Sequence, residues 1–350
     1  MKNKTMKILA SAVASSALLG LALQATAAPF SFSTGNPDGK IGTLSGLSST
    51  QTLQTETADD FILTQPSVIN QATFTGLLPA GASLSSIGDV EVEIYHVFPT
   101  DSNTNRTSVV PTRANSPGDV EIASATRDGL GGSLTFSSVV ANASFSVSNS
   151  VVNGINPAPG QKTFGEGPVT GQAVTITVTF NPPIALPTDH YFFRPEVVLS
   201  SGGFLWLSAP KPIIAPGTPF LGDLQSWIRN DRLAPDWLRI GSDITAQGPF
   251  NAAFSLSGET DSDGDGVADS LDECSDTQPG SVVDANGCSI DQLAPCAGPA
   301  SGGIWKNHGE YVSTVAHVSE QFLQQGLISQ AEQEAIVAEA AQSNCGSNAK

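Results

Sequence analysis

From Pro29 to about Gly258 the chain is dominated by short runs in which apolar and polar residues alternate. In "DVEVEIYHVF" (Asp89–Phe98), Val90, Val92 and Ile94 share one face while Glu91 and Glu93 take the other. "AVTITVTF" (Ala173–Phe180) sets Val174, Ile176, Val178 and Phe180 against threonines. A period of two marks a strand with one buried face. The runs "SFSVSNSVV", "HYFFRPEVVL", "GFLWLSA" and "FNAAFSLSG" extend the set, with Gly, Pro, Asn and Asp turns between them. Strands polar on one face pack as antiparallel sheets that cover each other, whereas a parallel sheet needs continuously apolar strands and crossover helices. The pattern predicts a mainly β fold, an antiparallel β-sandwich, and a jelly roll is one arrangement that fits it.

Two regions break the two-residue period. In "DLQSWIRNDRLAPDWLRIG" (Asp223–Gly241), Leu224, Trp227 and Ile228 stand three and four apart, which predicts a short helical turn closed before "LAPDW". This two-tryptophan segment reads as a plug at one end of the sandwich, the alternative being an exposed platform for a ligand. Sustained helical spacing comes only near the end. "EYVSTVAHVSEQFLQQ" (Glu310–Gln325) gathers Val312, Val315, Ala316 and Phe322, and Gly326 stops it. Ser329 and Glu332 then make a capping box for "QAEQEAIVAEAAQS", whose apolar positions are Ile336, Val337 and Ala340. The result is a small α-hairpin, too small to be stable unaided.

The N-terminus changes which residues belong to the fold. Lys2, Lys4 and Lys7 precede the apolar run "ILASAVASSALLGLAL", and "ATA" at 25–27 supplies small residues for cleavage. That is the pattern of a signal peptide, so the chain is read as exported, with no membrane-spanning segment in its mature part. The composition is acidic, 33 Asp and Glu against 15 Lys and Arg. Losing the leader lysines makes it more so. Such a surface repels phosphate backbones, which excludes nucleic acid as a partner, and it suits divalent cations. All four cysteines, Cys274, Cys288, Cys296 and Cys345, lie in the last quarter. An even count in an exported chain predicts two disulfides. Three pairings are open, and sequence proximity favours Cys274 with Cys288.

The densest chemistry is "DSDGDGVADSLDEC" (Asp261–Cys274). Asp261, Asp263, Asp265, the Val267 carbonyl, Asp269 and Asp272 occupy positions one, three, five, seven, nine and twelve of a loop, with Gly264 and Gly266 allowing it to fold tightly. All-oxygen ligands in that number suit calcium; zinc would want histidine or thiolate. The flanks are not those of a helix–loop–helix hand, since a strand precedes the loop. The longer run "DSDGDGVADSLDECSDTQPGSVVDANGC" (Asp261–Cys288) resembles a thrombospondin type 3 calcium repeat in its bacterial form. The resemblance implies a loop wrapped around Ca2+ with little regular secondary structure. It implies Asp261, Asp263, Asp265, Asp269 and Asp272 as ligands, Asp276 and Asp284 helping a second ion, and a Cys274–Cys288 bond. The segment from "GGIWKNHGEY" onward is similar to a tail on exported bacterial proteins of no known activity. Such tails often carry a cysteine where Thr314 stands here, and its absence supports Cys296–Cys345.

The sequence thus divides into a signal peptide (1–27), a β-sandwich (28–258), a calcium repeat (259–293), a linker (294–303) and a disulfide-closed helical hairpin (304–350). Candidates for catalysis are thin. His96, His190, His308 and His317 are the histidines; Asp59, Asp60 and Asp189 are nearby acids in sequence, and no nucleophile elbow, zinc helix or phosphate loop accompanies them. The reading is a non-enzymatic, calcium-binding protein of the bacterial exterior, cell surface or periplasm, serving in binding or adhesion. Its partner would be a polysaccharide or an envelope or extracellular protein. Tyr95, Tyr191, Trp206, Trp227 and Trp237 are the candidate face for stacking on sugar rings. The alternatives are a structural exoprotein with a calcium-stiffened spacer and a secreted hydrolase acting on polysaccharide or peptide.

Overall fold

The computed structural model describes residues 29–47, 53–106, 110–155, 161–210, 212 and 222–347. The leader expected at 1–27 lies outside these residues. Two sheets carry the chain as far as Thr260. In the larger, hydrogen-bonded neighbours run Pro29–Ser33, Phe254–Thr260, Ser67–Pro79, Leu205–Ala209, Ile41–Leu44, Asn149–Val151. A branch places Val169–Leu186 beside Ser67–Pro79 and Leu134–Val147 beyond it. The smaller orders Leu238–Arg239, Trp227–Asn230, Gln54–Ile62, His190–Leu199, Ile87–His96 and Arg127–Asp128. Among the described pairings only that of Ile41–Leu44 with Asn149–Val151 is parallel. The antiparallel sandwich read from the alternation is what forms.

Its core follows from the same alternation. Val90, Val92 and Ile94 from one sheet and Val174, Ile176 and Val178 from the other are buried in one cluster. Phe193 stacks on Phe254 with ring centroids 5.0 Å apart, and Trp206 meets both edge-on. The opposite face of the larger sheet carries hydroxyl pairs, Thr75 with Thr175 at 3.1 Å.

The opposite face of the smaller sheet is not simply solvated. Arg194 is fully buried there and pairs with Glu196, Glu93 and Glu91. Burial works against its charge, and the carboxylates of Glu56, Glu93 and Glu196 outweigh that. Beside it Arg229 donates to Glu56 and to the Tyr95 hydroxyl and lies 4.3 Å over the Trp237 ring.

Two expectations need correction. Residues 227–230 are a strand, not a helical turn: Trp227 pairs with Ala58 and Ile228 with Thr57. Trp227 packs with Leu224, Tyr95 and Trp237, whereas Ile228 enters a different cluster with Leu238 and Ile240. Neighbouring apolar residues that bury on opposite sides need a strand, and the three-and-four spacing was coincidental. The segment is core, as the plug reading had it, but it extends a sheet edge. The second correction concerns the sugar-stacking face. Tyr95, Tyr191, Trp206, Trp227 and Trp237 expose at most 1 % of their surface, so none offers a ring face to a ligand.

Past the sandwich, a short helix α1 (Ile290–Leu293) precedes the hairpin of α2 (His308–Gln324) and α3 (Gln330–Gln342). The Asn307 side chain caps α2, and the Ser329–Glu332 box caps α3 as expected. Gly326 takes φ +74°, the left-handed value that ends a helix. Among the described residues no helix is long and apolar enough to cross a membrane.

Candidate metal centre

The acidic loop leaves the sandwich directly. Thr260 ends the last strand, and the Asp261 N–H donates to Pro66 O at 3.1 Å, which holds the first carboxylate against the sandwich. Asp261 is 2 % exposed. Its Oδ1 accepts from Gly264 N and its Oδ2 from Gly266 N, both at 2.9 Å. Those glycines sit at φ +78° and +98°, so the backbone curls around the carboxylate in a way side-chain-bearing residues resist. Asp263 accepts from Thr277 N at 2.7 Å, and Asp265 Oδ1 from Val267 N at 2.8 Å. These turns bring one oxygen from each of Asp261, Asp263 and Asp265 within 4.8 Å of the others.

Asp272 approaches from the far side. A Cβ on Gly287 would stand 2.2 Å from Asp272 Oδ1 and 3.0 Å from Asp265 Oδ2, so both carboxylates border the same bare stretch of backbone. The other sequence candidates have different surroundings. Asp269 accepts from Ser262 N and from the hydroxyls of Ser262 and Thr260. Asp284 accepts from Asn286 N and Cys288 N, closing a turn. Val267 contributes its N–H to Asp265, and Asp276 is exposed.

Electrostatics separates these carboxylates. Burial and then the neighbouring Asp263 charge hold Asp261 above its ordinary range. Burial raises Asp265, with Asp263 and Asp261 adding to the rise against the Val267 N–H and the Thr277 hydroxyl, and burial raises Asp272, with Asp263, Asp265 and Asp269 adding against the Cys274 N–H. Burial acts upward on Asp269 too, but the Thr260 and Ser262 donors outweigh it and leave that group lowered. Donors thus outweigh burial at Asp269 alone; Asp261, Asp265 and Asp272 also accept from backbone N–H groups yet stay raised, and among the described residues no Lys or Arg pairs with them. Asp265 Oδ2 is sealed from solvent without a hydrogen bond. A buried carboxylate oxygen left bare is costly unless a cation or proton meets it. The residues fit a hard divalent cation: the donors are all oxygen, and the buried orphan belongs to a carboxylate of the cluster.

Two disulfides frame this region, Cys274–Cys288 and Cys296–Cys345. The first closes around Thr277, whose hydroxyl lies 2.9 Å from Cys274 O, 2.8 Å from Gly287 O and 2.9 Å from Gln292 Oε1. Thr277, Gly287 and Gln292 carry the loop's support into α1, and sequence reasoning missed all three. A lone threonine or glutamine has no spacing signal, while the glycine of "NGC" was a signal that could have been used.

The other candidates are engaged elsewhere. Asp59 is fully buried, accepts from Ala252 N at 2.8 Å and Ser226 Oγ at 2.9 Å, and is held well above its usual range by burial and by Asp60. Asp60 pairs with His190 Nε2 at 2.6 Å. Successive strand residues point to opposite faces, so Ser226 meets Asp59 and His190 meets Asp60. His96 pairs with Asp101, exposed His317 neighbours Gln321, and His308 lies 2.7 Å from Cys345 O and 3.1 Å from Ala341 O, joining the hairpin's ends. No family model, curated protein or solved structure matches the chain.

Proposed function

We propose that this chain is an exported, calcium-binding and non-enzymatic protein of the cell exterior, in which the ion organises the joint between a β-sandwich and a disulfide-closed helical tail. The observation that carries the reading is the bare, buried Asp265 Oδ2 beside the Asp261–Asp263–Asp265 group. Asp261, Asp263, Asp265 and Asp272 would hold the ion, and the resemblance of Asp261–Cys288 to a thrombospondin type 3 repeat selects calcium among hard cations. The ion supplies charge neutralisation. The chain supplies a preformed curl of backbone, fixed by Gly264, Gly266 and the Cys274–Cys288 closure. A joint of this kind suits a binding or adhesion module whose partner is an envelope or extracellular protein. The five aromatics once candidates for glycan stacking lend that partner class no support.

Titration calorimetry of the mature chain tests the reading. Calcium should bind at a dissociation constant of about 10⁻⁴ to 10⁻³ M, the range of extracellular modules, and Asp265→Asn should weaken it. No calcium heat at millimolar concentrations would end it.

A further inference from the structure

An open groove of about 580 Å³ runs between the end of the acidic repeat and the helical hairpin. The α3 helix forms one wall, with Glu332, Ile336, Glu339 and Ser343 recurring at steps of three and four. That stripe is roughly 16 Å long at 1.5 Å per residue. Half-buried Ile290 and Ile336 offer the floor its apolar surface, over buried Val315 and Ile328. Across from α3 stand Asp291 and Val282, the latter 47 % exposed.

The rim has one sign. Asp291, Glu332 and Glu339 line the groove, no Lys or Arg does, and none of the three pairs with a cation among the described residues. Asp291 and Glu339 act from opposite walls on Tyr311 between them, whose hydroxyl burial already holds above its ordinary range. The walls are fixed in advance: Cys296–Cys345 closes one end, and the Trp305 indole donates to Pro295 O at 2.9 Å beneath it. A preorganised groove loses little entropy when it is filled.

We propose that this groove docks a basic amphipathic helix of about three turns from a partner protein, its apolar stripe on Ile290, Ile336 and Val282 and its lysines or arginines against Asp291 and Glu339. The length of the α3 stripe favours a helix over a single side chain. The rim selects against acidic segments, a second copy of this chain included, since its formal net charge is −18. The inference goes beyond the calcium joint and does not require it.

The test uses the full mature chain and a labelled peptide of roughly 12 residues whose leucines align on one helical face and whose other positions are lysine. Two controls are a scrambled peptide of equal composition and a lysine-only peptide. In fluorescence anisotropy at about 0.15 M salt, the amphipathic peptide should bind saturably, and the controls at least about tenfold more weakly. Charge reversal at Asp291→Lys with Glu339→Lys should lower affinity about tenfold, while Glu121→Lys with Asp231→Lys on the sandwich should change it less than about twofold. The proposal is overturned by equal binding of the lysine-only or scrambled peptide, by an equal loss from the sandwich reversals, or by no saturable binding.

Discussion

Gly287 lies against Asp272 so closely that a Cβ on the glycine would stand 2.2 Å from Asp272 Oδ1. A side chain there must push the Asp272 carboxylate aside, and the φ of +77° disfavours one independently. The closeness places the far end of the disulfide loop against the carboxylate group at its near end.

Gly287→Ala should therefore damage the centre without removing a carboxylate. The left-handed backbone alone costs about 1–2 kcal/mol for a non-glycine residue, and the methyl must displace Asp272. We expect calcium affinity to fall at least about tenfold in calorimetry, while the far-ultraviolet spectrum of the sandwich stays unchanged. Unaltered affinity would place Asp272 outside the ligand set.

Cys274 and Cys288 are 14 residues apart in sequence, and closing a loop of that size is worth roughly 3 kcal/mol in the chain-entropy model. The double variant Cys274→Ser, Cys288→Ser should bind calcium more weakly, because the ion would then have to order the loop itself. Equal calorimetric affinity for the variant and the parent would show that the loop is ordered without its staple.

Glu91 gives a pH dependence with a definite sign. Burial pushes its carboxyl up to about 7 from the ordinary 4.5; Arg194 pulls it back, and Glu93 and Glu196 add to the rise. The folded state thus holds this proton more tightly than the unfolded one, so the group's contribution is fully present below about 4.5 and is lost as pH rises toward 7. Glu91→Gln should raise the urea midpoint at pH 8 and leave it unchanged near pH 4. A variant less stable at pH 8 would mean that the ionised Glu91–Arg194 pair outweighs its burial.

Sequence periodicity made some of this legible and hid the rest, for physical reasons. Val90, Val92 and Ile94 could be placed because a strand with one apolar face alternates whatever its neighbours are. The Ser329–Glu332 cap could be placed because it is a local hydrogen-bond pattern. Trp227 and Ile228 misled because spacing within five residues cannot tell one helical face from two strand faces. Glu91 and Glu93 were read as a polar face, yet they bracket buried Arg194, a partner from another strand. The carboxylate ladder was visible as composition at fixed offsets. That Asp269 is satisfied by hydroxyls while Asp265 Oδ2 is left bare depends on how the chain folds back, which no spacing encodes.

The position of the carboxylates argues that calcium acts as a mechanical joint. Asp261 hangs from Pro66 of the sandwich, Asp263 accepts from Thr277 N, and Thr277 reaches Gln292 at the start of the tail. Without a cation, like charges a few ångströms apart repel, and the hydrogen bonds of Asp261 and Asp263 must hold against that repulsion. Chelation should loosen this segment and lengthen the molecule, read in small-angle scattering as a larger maximum dimension. The four tryptophans make a control within the same sample. Trp206, Trp227 and Trp237 are buried in the sandwich, and Trp305 is buried in the tail behind Cys296–Cys345. Their clusters contain sandwich or tail residues, so their emission should stay unshifted in chelator while the dimension grows. Asp263→Ala and Asp265→Ala should reproduce the expanded form with calcium present. A red-shifted emission at constant dimension would refute the joint, because the ion would then be holding a core together instead of linking two.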